Sequence, residues 1–185
     1  RCSEPRMRRA GHWHRPARRI RTTRAFRTLT GRVNTSRAVS VRTVLVVGAS
    51  RGIGLEFVRQ YAAVGARVLA THRDDEAATR LRALGATPLP LDVRDCAAVS
   101  EFGRLLGAGA IDLAIVSAGV YGPRSSGLEA PAVADFDHVM RTNVLAPMHL
   151  IRALAEPVAA ARGTIAVLSS RMGSVSQMGS AAGWL

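Results

Sequence analysis

The residues best suited to chemistry in this sequence lie in the run Val47-Gly48-Ala49-Ser50-Arg51-Gly52-Ile53-Gly54. A short apolar stretch, Thr43-Val-Leu-Val-Val, leads into it, and a helical pattern leaves it. Gly48 permits a tight turn at that junction. Gly52 and Gly54, on either side of Ile53, let backbone N–H groups approach a diphosphate and let the helix pack against the strand. The helix N-terminus would add partial positive charge where the anion lies. The plain alternative is a tight strand-to-helix turn that holds nothing.

Charge at the next strand end bears on which nucleotide fits. A carboxylate there would accept from a ribose 2′-OH and repel a 2′-phosphate. This chain has Thr71-His72-Arg73 instead, with no acid before Asp74. With Ser50 and Arg51 in the loop, the guanidinium groups of Arg51 and Arg73 could converge on a 2′-phosphate, which arginine binds bidentately. NADP(H) is therefore expected over NAD(H), the alternative being two solvated surface arginines. Farther on, Ser169 and Ser170 close an apolar run, at the carboxyl end where open α/β sheets place ligands.

Holding these residues together requires alternating elements, and the texture from Thr43 onward provides them. Thr43–Val47 is all apolar after its first residue and mostly β-branched, as in a strand buried on both faces. Gly52 to about Val64 has helical spacing, with Ile53, Phe57, Val58 and Tyr61 on one side and Gly65 as its stop. Arg67–Thr71 reads as a second strand, and Asp74–Leu84 as a helix with acids in its first turn and Gly85 at its end. Thr87–Leu91 is a third strand and Asp95–Leu106 a third helix, capped by Asp95. Asp112–Ser117 is a fourth strand. A long helix follows from about Val133, bent near Pro147 or restarted there, and Thr164–Ser169 is the fifth strand. Each crossover is long enough for a right-handed βαβ unit. The fold class is α/β, a doubly wound parallel sheet of the Rossmann type.

The totals leave room for one domain among 185 residues,. The formal charge of +13 suggests a nucleic-acid binder until it is placed along the chain,. Residues 1–42 carry 13 arginines and one acid, Glu4, whereas residues 43–185 carry 13 arginines and 12 acids. The basicity belongs to a leader too poor in apolar residues to offset its ordering entropy, and disorder is expected over 1–42. Three origins compete: an unstructured or mis-started translation, an organellar transit peptide, or a phosphate-binding arm. The two cysteines, Cys2 and Cys96, have no metal or disulfide spacing, which suits a reducing cytoplasm,. No apolar run approaches the ~18–20 residues of a membrane span, and no metal site is expected.

The Gly-x-x-x-Gly-x-Gly spacing of the loop resembles the short-chain dehydrogenase/reductase family. Members carry Thr before the first glycine, where this chain has Val47. The resemblance extends to Asp92-Val93, similar to an adenine-contacting Asp-Val pair, although an Asp after a strand also serves as a helix cap. Ala118 and Gly119 fall where the family leaves room for ribose, with Val116-Ser117 in place of two asparagines. Asn143 matches an asparagine that holds a water in the family's proton relay; a buried structural hydrogen bond is the alternative. Ser170 matches the serine that donates to the substrate carbonyl or hydroxyl, and Ser-Ser-x-Met-Gly-Ser with Gly183-Trp184 resembles the C-factor-type branch. The resemblance implies hydride transfer between NADP(H) and a small carbonyl compound or secondary alcohol, in a homo-oligomer.

The family's acid/base is a tyrosine with a lysine four residues on. This chain has no lysine, its tyrosines are Tyr61 and Tyr121, and Leu185 stands 15 residues after Ser170. The expectation is a partial NAD(P)-binding domain over 43–185, lacking the C-terminal part of the fold, with little or no turnover. Tyr121 is expected near the mouth of the cleft. The fifth strand would then be an apolar, aggregation-prone edge. Two other readings stand beside this one: a nucleotide-binding sensor without catalysis, and a nucleic-acid binder that uses the arginine leader.

Overall fold

The computed structural model describes residues 43–107, 109–123 and 130–170. The leader at 1–42 and the segment 171–185 lie outside the described residues, and so do the expectations placed on them.

The elements follow in the order β1 (Thr43–Val47), α1 (Gly52–Ala63), β2 (Arg67–His72), α2 (Asp75–Ala83), β3 (Thr87–Pro90), α3 (Cys96–Leu106), β4 (Leu113–Val116), α4 (Val133–Met140), α5 (Ala146–Ala160) and β5 (Thr164–Val167). All five strands pair in parallel, in the order β3-β2-β1-β4-β5. The sequence walks outward from β1 to β3, then returns to β4 on the far side of β1. That reversal opens a crevice at the carboxyl ends of β1 and β4, the usual ligand position in such sheets.

Both faces of the sheet are covered, which is why β1 is apolar at every position after Thr43. Val44 and Val46 pack with Val58 of α1 and Leu81 of α2. Leu45 and Val47 face the other way, into a cluster with Val99 of α3 and Leu150 and Leu154 of α5. All four β1 side chains are fully buried, each contributing about 1.5–3 kcal/mol relative to exposure. Two of the helices start on aspartates. Asp74 accepts from the Ala77 amide at 2.7 Å, and Asp95 from the amides of Ala97 and Ala98 at 2.9 and 3.0 Å.

Two details differ from the sequence reading, and one was not anticipated. Ile53, expected on the packed side of the first helix, is 65% exposed, while Gly54 and Val58 are the buried residues of α1. It stands in the first turn, at the carboxyl edge of the sheet, and no described element covers it. The expected break near Pro147 takes a specific form: a π-helical turn, Arg141–Leu145, joins α4 to α5. The Ala146 amide bonds back five residues to the Arg141 carbonyl. Pro147 has no N–H for the carbonyl four residues before it, that of Asn143, and the helix widens there. A second proline, Pro157, is buried inside α5, and its carbonyl accepts from the Ile111 amide at 3.0 Å. Among the described residues no helix is long and apolar enough to cross a membrane.

Candidate functional site

The loop between β1 and α1 is built from its backbone. The Gly48 amide donates to the Thr71 hydroxyl at 2.9 Å, and the Ala49 amide to the Thr71 carbonyl at 3.1 Å. Thr71 is buried at the end of β2, so it spends the first two loop amides and fastens the loop to the neighbouring strand. Gly48 has φ +86°, a left-handed conformation that a side chain would strain,. A Cβ there would also lie 2.5 Å from the Ala118 nitrogen, past the end of β4. A Cβ on Gly54 would overlap the Gly48 carbonyl oxygen. Loop, helix and the end of β4 therefore meet backbone to backbone.

What that leaves is an open helix end. Arg51, the residue before α1, is extended and makes no capping bond, and the first turn of α1 carries no acid. The opening amides of Gly52, Ile53 and Gly54 have no intrahelical acceptor, and the dipole favours an anion there. The cradle fits a diphosphate. α2 and α3, by contrast, are closed by Asp74 and Asp95.

Around the adjoining strand ends the charges are paired unevenly. Asp92 accepts three hydrogen bonds from Arg94: from the backbone amide at 3.0 Å, from Nε at 3.1 Å and from Nη2 at 2.7 Å. Those bonds hold its carboxyl down to about 2, with Arg73 contributing a smaller electrostatic pull. The adenine-contacting role expected of Asp92 thus falls on a carboxylate already clasped by an arginine. Val93 points its side chain into the core, so only its backbone and flank are available to a ligand. Arg94 also lies 3.4 Å from Nδ1 of His138 on α4; guanidinium only donates, so that nitrogen is the acceptor.

Ala118 and Gly119 follow β4, and Gly119 stands against Asn143, whose Oδ1 is 3.5 Å from where a Cβ would sit. Asn143 itself lies in the π-helical turn. It is exposed rather than buried as the sequence suggested, because the widened turn swings it toward the loop after β4. There its Oδ1 accepts from the Val120 amide and its Nδ2 donates to the Val120 carbonyl. Ser169 and Ser170 are exposed just past β5, at the same carboxyl edge. Tyr121 is 82% exposed beside Val120. Ser50 and Arg51 stand in the loop and Arg73 just after β2. Among the described residues no group of three His, Cys, Asp or Glu side chains is placed to hold a metal ion.

The structure thus brings Gly48 together with Gly54 and Ala118, Gly119 together with Asn143, and Arg73 within electrostatic reach of Asp92. Sequence reasoning missed Thr71, Arg94 and Val120. Thr71 carried a signal, a hydroxyl ending an apolar strand. Val120 acts through a pairing that only the fold creates, and Arg94 through a clasp on Asp92 two residues away that the sequence does not distinguish from a surface charge.

The family model for short chain dehydrogenase matches residues 42–182. The chain belongs to the short-chain dehydrogenase family. Within that family it is 39% identical over 114 residues to the cyclic-di-GMP-binding biofilm dispersal mediator protein of Escherichia coli, covering 60% of this chain and 46% of that protein. It is 30% identical over 128 residues to galactitol 2-dehydrogenase of Agrobacterium fabrum, covering 66% and 49%. Among solved structures, a carbonyl reductase from Pseudomonas aeruginosa in complex with NADP superposes with a TM-score of 0.66 at 33% identity, over 73% of this chain and 64% of that one. This short-chain dehydrogenase chain spans about half the length of the curated relatives it matches.

Proposed function

We propose that this chain forms the cofactor-binding part of an oxidoreductase that moves hydride between NADP(H) and a small carbonyl compound or secondary alcohol. The observation that carries this reading is the α1 N-terminus: uncapped, free of acids, and pressed by Gly54 onto Gly48. The amides of Gly52, Ile53 and Gly54 would hold the diphosphate. Ala118 and Gly119 would leave room for ribose, and Asp92 and Val93 would border the adenine. Bound there, the nicotinamide ring supplies the hydride chemistry.

Preference for NADP(H) over NAD(H) follows from the β2 end. No carboxylate stands there to receive a 2′-OH, and the nearby Asp92 is neutralised by Arg94. Ser50, Arg51 and Arg73 remain for a 2′-phosphate. Ser170 would donate to the substrate oxygen. Asn143 commits its side-chain amide to Val120, so its part in a proton relay would run through its carbonyl, whose helical donor Pro147 removes. With no lysine in these 185 residues, the tyrosine–lysine acid/base pair of the family is not formed by this chain, and little or no turnover is expected of it. General acid–base help is worth ~10²–10⁴ in rate. The exposed apolar face of α4 and α5, with Phe136, Met140, Met148 and Ile151 at 36–63% exposure, supports a homo-oligomer.

A second reading keeps the site and drops the chemistry, as a nucleotide-binding sensor. The 39% identity to a cyclic-di-GMP-binding protein favours it. Titration with NADPH, NADH and cyclic di-GMP separates the possibilities. Tightest binding of NADPH supports the oxidoreductase, tighter NADH overturns the preference, and tightest cyclic di-GMP installs the sensor.

A further inference from the structure

We propose that Arg80 is a specificity residue of the nucleotide site, a third guanidinium at the corner that would hold the adenosine 2′-phosphate. The inference rests on the NADP(H) reading above and adds a residue from an element that neither the loop motif nor the β2 end points to. Arg80 lies in the second turn of α2 (Asp75–Ala83). Its Nη2 reaches across to the carbonyl of Ser50 at 3.4 Å, and its Nη1 is bonded to Glu76, one helical turn earlier. Two anchors on opposite sides thus aim one planar group at the outer flank of the loop.

The placement matters because of what else is there. Ser50 and Arg51 supply a hydroxyl and a guanidinium from the loop, and Arg73 a guanidinium from the end of β2. Arg80, held against the Ser50 backbone, is within a side chain's length of that hydroxyl. Of its five N–H donors, two are used; among the described residues the other three have no acceptor. Two of the neighbouring acids are engaged elsewhere, and Asp75, in the first turn of α2, is a third acid at this corner. Asp74 caps α2 through the Ala77 amide, and Glu56 is paired with Arg59 and Gln60. Glu76 pairs with Arg80 across an exposed i,i+4 contact with side-chain exposures of 44% and 84%. Exposed pairs of this kind contribute little to folding, so stability gives little reason for this arrangement, whereas a dianionic phosphate beside arginines does.

The test uses Arg80→Gln and Arg80→Lys in the 185-residue chain, with dissociation constants measured for NADPH and NADH and a thermal melt for each protein. Arg80→Gln is expected to melt with the wild type, weaken NADPH about tenfold and change NADH less than threefold. Arg80→Lys, which keeps the charge and loses the fork, is expected to fall between the two for NADPH. Equal weakening of both nucleotides would make Arg80 a mere loop support and overturn the assignment, and so would unchanged NADPH affinity in both variants. A wild-type chain that binds neither nucleotide would instead overturn the cofactor reading on which the assignment rests.

Discussion

The side-chain amide of Asn143 exchanges two hydrogen bonds with the backbone of Val120, its Oδ1 2.9 Å from the Val120 amide and its Nδ2 2.8 Å from the Val120 carbonyl. An amide side chain presenting donor and acceptor together matches a peptide edge as a neighbouring strand would. The pair ties the π-helical turn to the loop after β4, beside Gly119. Asn143→Ala loses both bonds, at roughly 1–3 kcal/mol given net values of about 0.5–1.5 kcal/mol per bond. Asn143→Asp keeps the acceptor and sets a carboxylate against the Val120 carbonyl, so it is expected to be at least as destabilising near neutral pH. Denaturant melts of the two variants check this; unchanged midpoints in both would mean the pair holds nothing in solution.

The glycines of the loop should separate sharply when each becomes alanine. At Gly54 a Cβ meets the Gly48 carbonyl, backbone against backbone, and nothing flexible can yield. At Gly52 a Cβ meets nothing within 4 Å, and the only cost is φ +57°, about 1–2 kcal/mol for a left-handed residue. Gly54→Ala is expected to shift the loop and lose nucleotide binding by more than tenfold. Gly52→Ala should fold with a melting point lowered by several degrees. Calorimetry with a nucleotide titration on each variant measures both effects.

Much of this was legible beforehand, and the reasons divide by kind. β1 announces itself because four consecutive apolar residues suit a strand buried on both faces, and Asp74 and Asp95 mark helix starts by their capping chemistry. The crevice follows from the order of strands and helices. Ile53 misled because a helical stripe does not reveal that its first turn projects past the sheet. Pro147 signalled a break in the helix, yet not that the chain would widen rather than stop, and the fate of Asn143 depended on that widening. Arg80 was invisible as a site residue because its partner Ser50 is 30 residues away, and Arg94 because an arginine two residues from an aspartate reads as an ordinary surface charge.

Asp92 makes a pH-dependent statement. Its carboxyl titrates at about 2 in the folded chain against 3.8 ordinarily, chiefly through the Arg94 side-chain hydrogen bonds. A lowered folded value means the pair's contribution is present above about 4 and is lost as pH falls through about 2. Both side chains are more than a third exposed, so the effect on stability is small and the titration itself is the better readout. Carboxyl NMR should find the midpoint near 2 in the wild type and nearer the ordinary value in Arg94→Ala. A wild-type midpoint close to 4 would show that the clasp does not persist.

The end of β2 should set the nucleotide preference. Arg73→Glu replaces a guanidinium with the carboxylate that this position lacks. NADPH affinity is expected to drop by at least tenfold while NADH affinity holds or improves. Dissociation constants for the two nucleotides measure it, and an unchanged ratio would remove Arg73 from the site.

The claim on which the rest depends concerns the amides at the start of α1, and amide NMR of the chain during an NADPH titration addresses it most directly. Saturable shifts at Gly52, Ile53 and Gly54, abolished by Gly54→Ala, are the expected result. Binding that moves resonances elsewhere and leaves those three unchanged would contradict it.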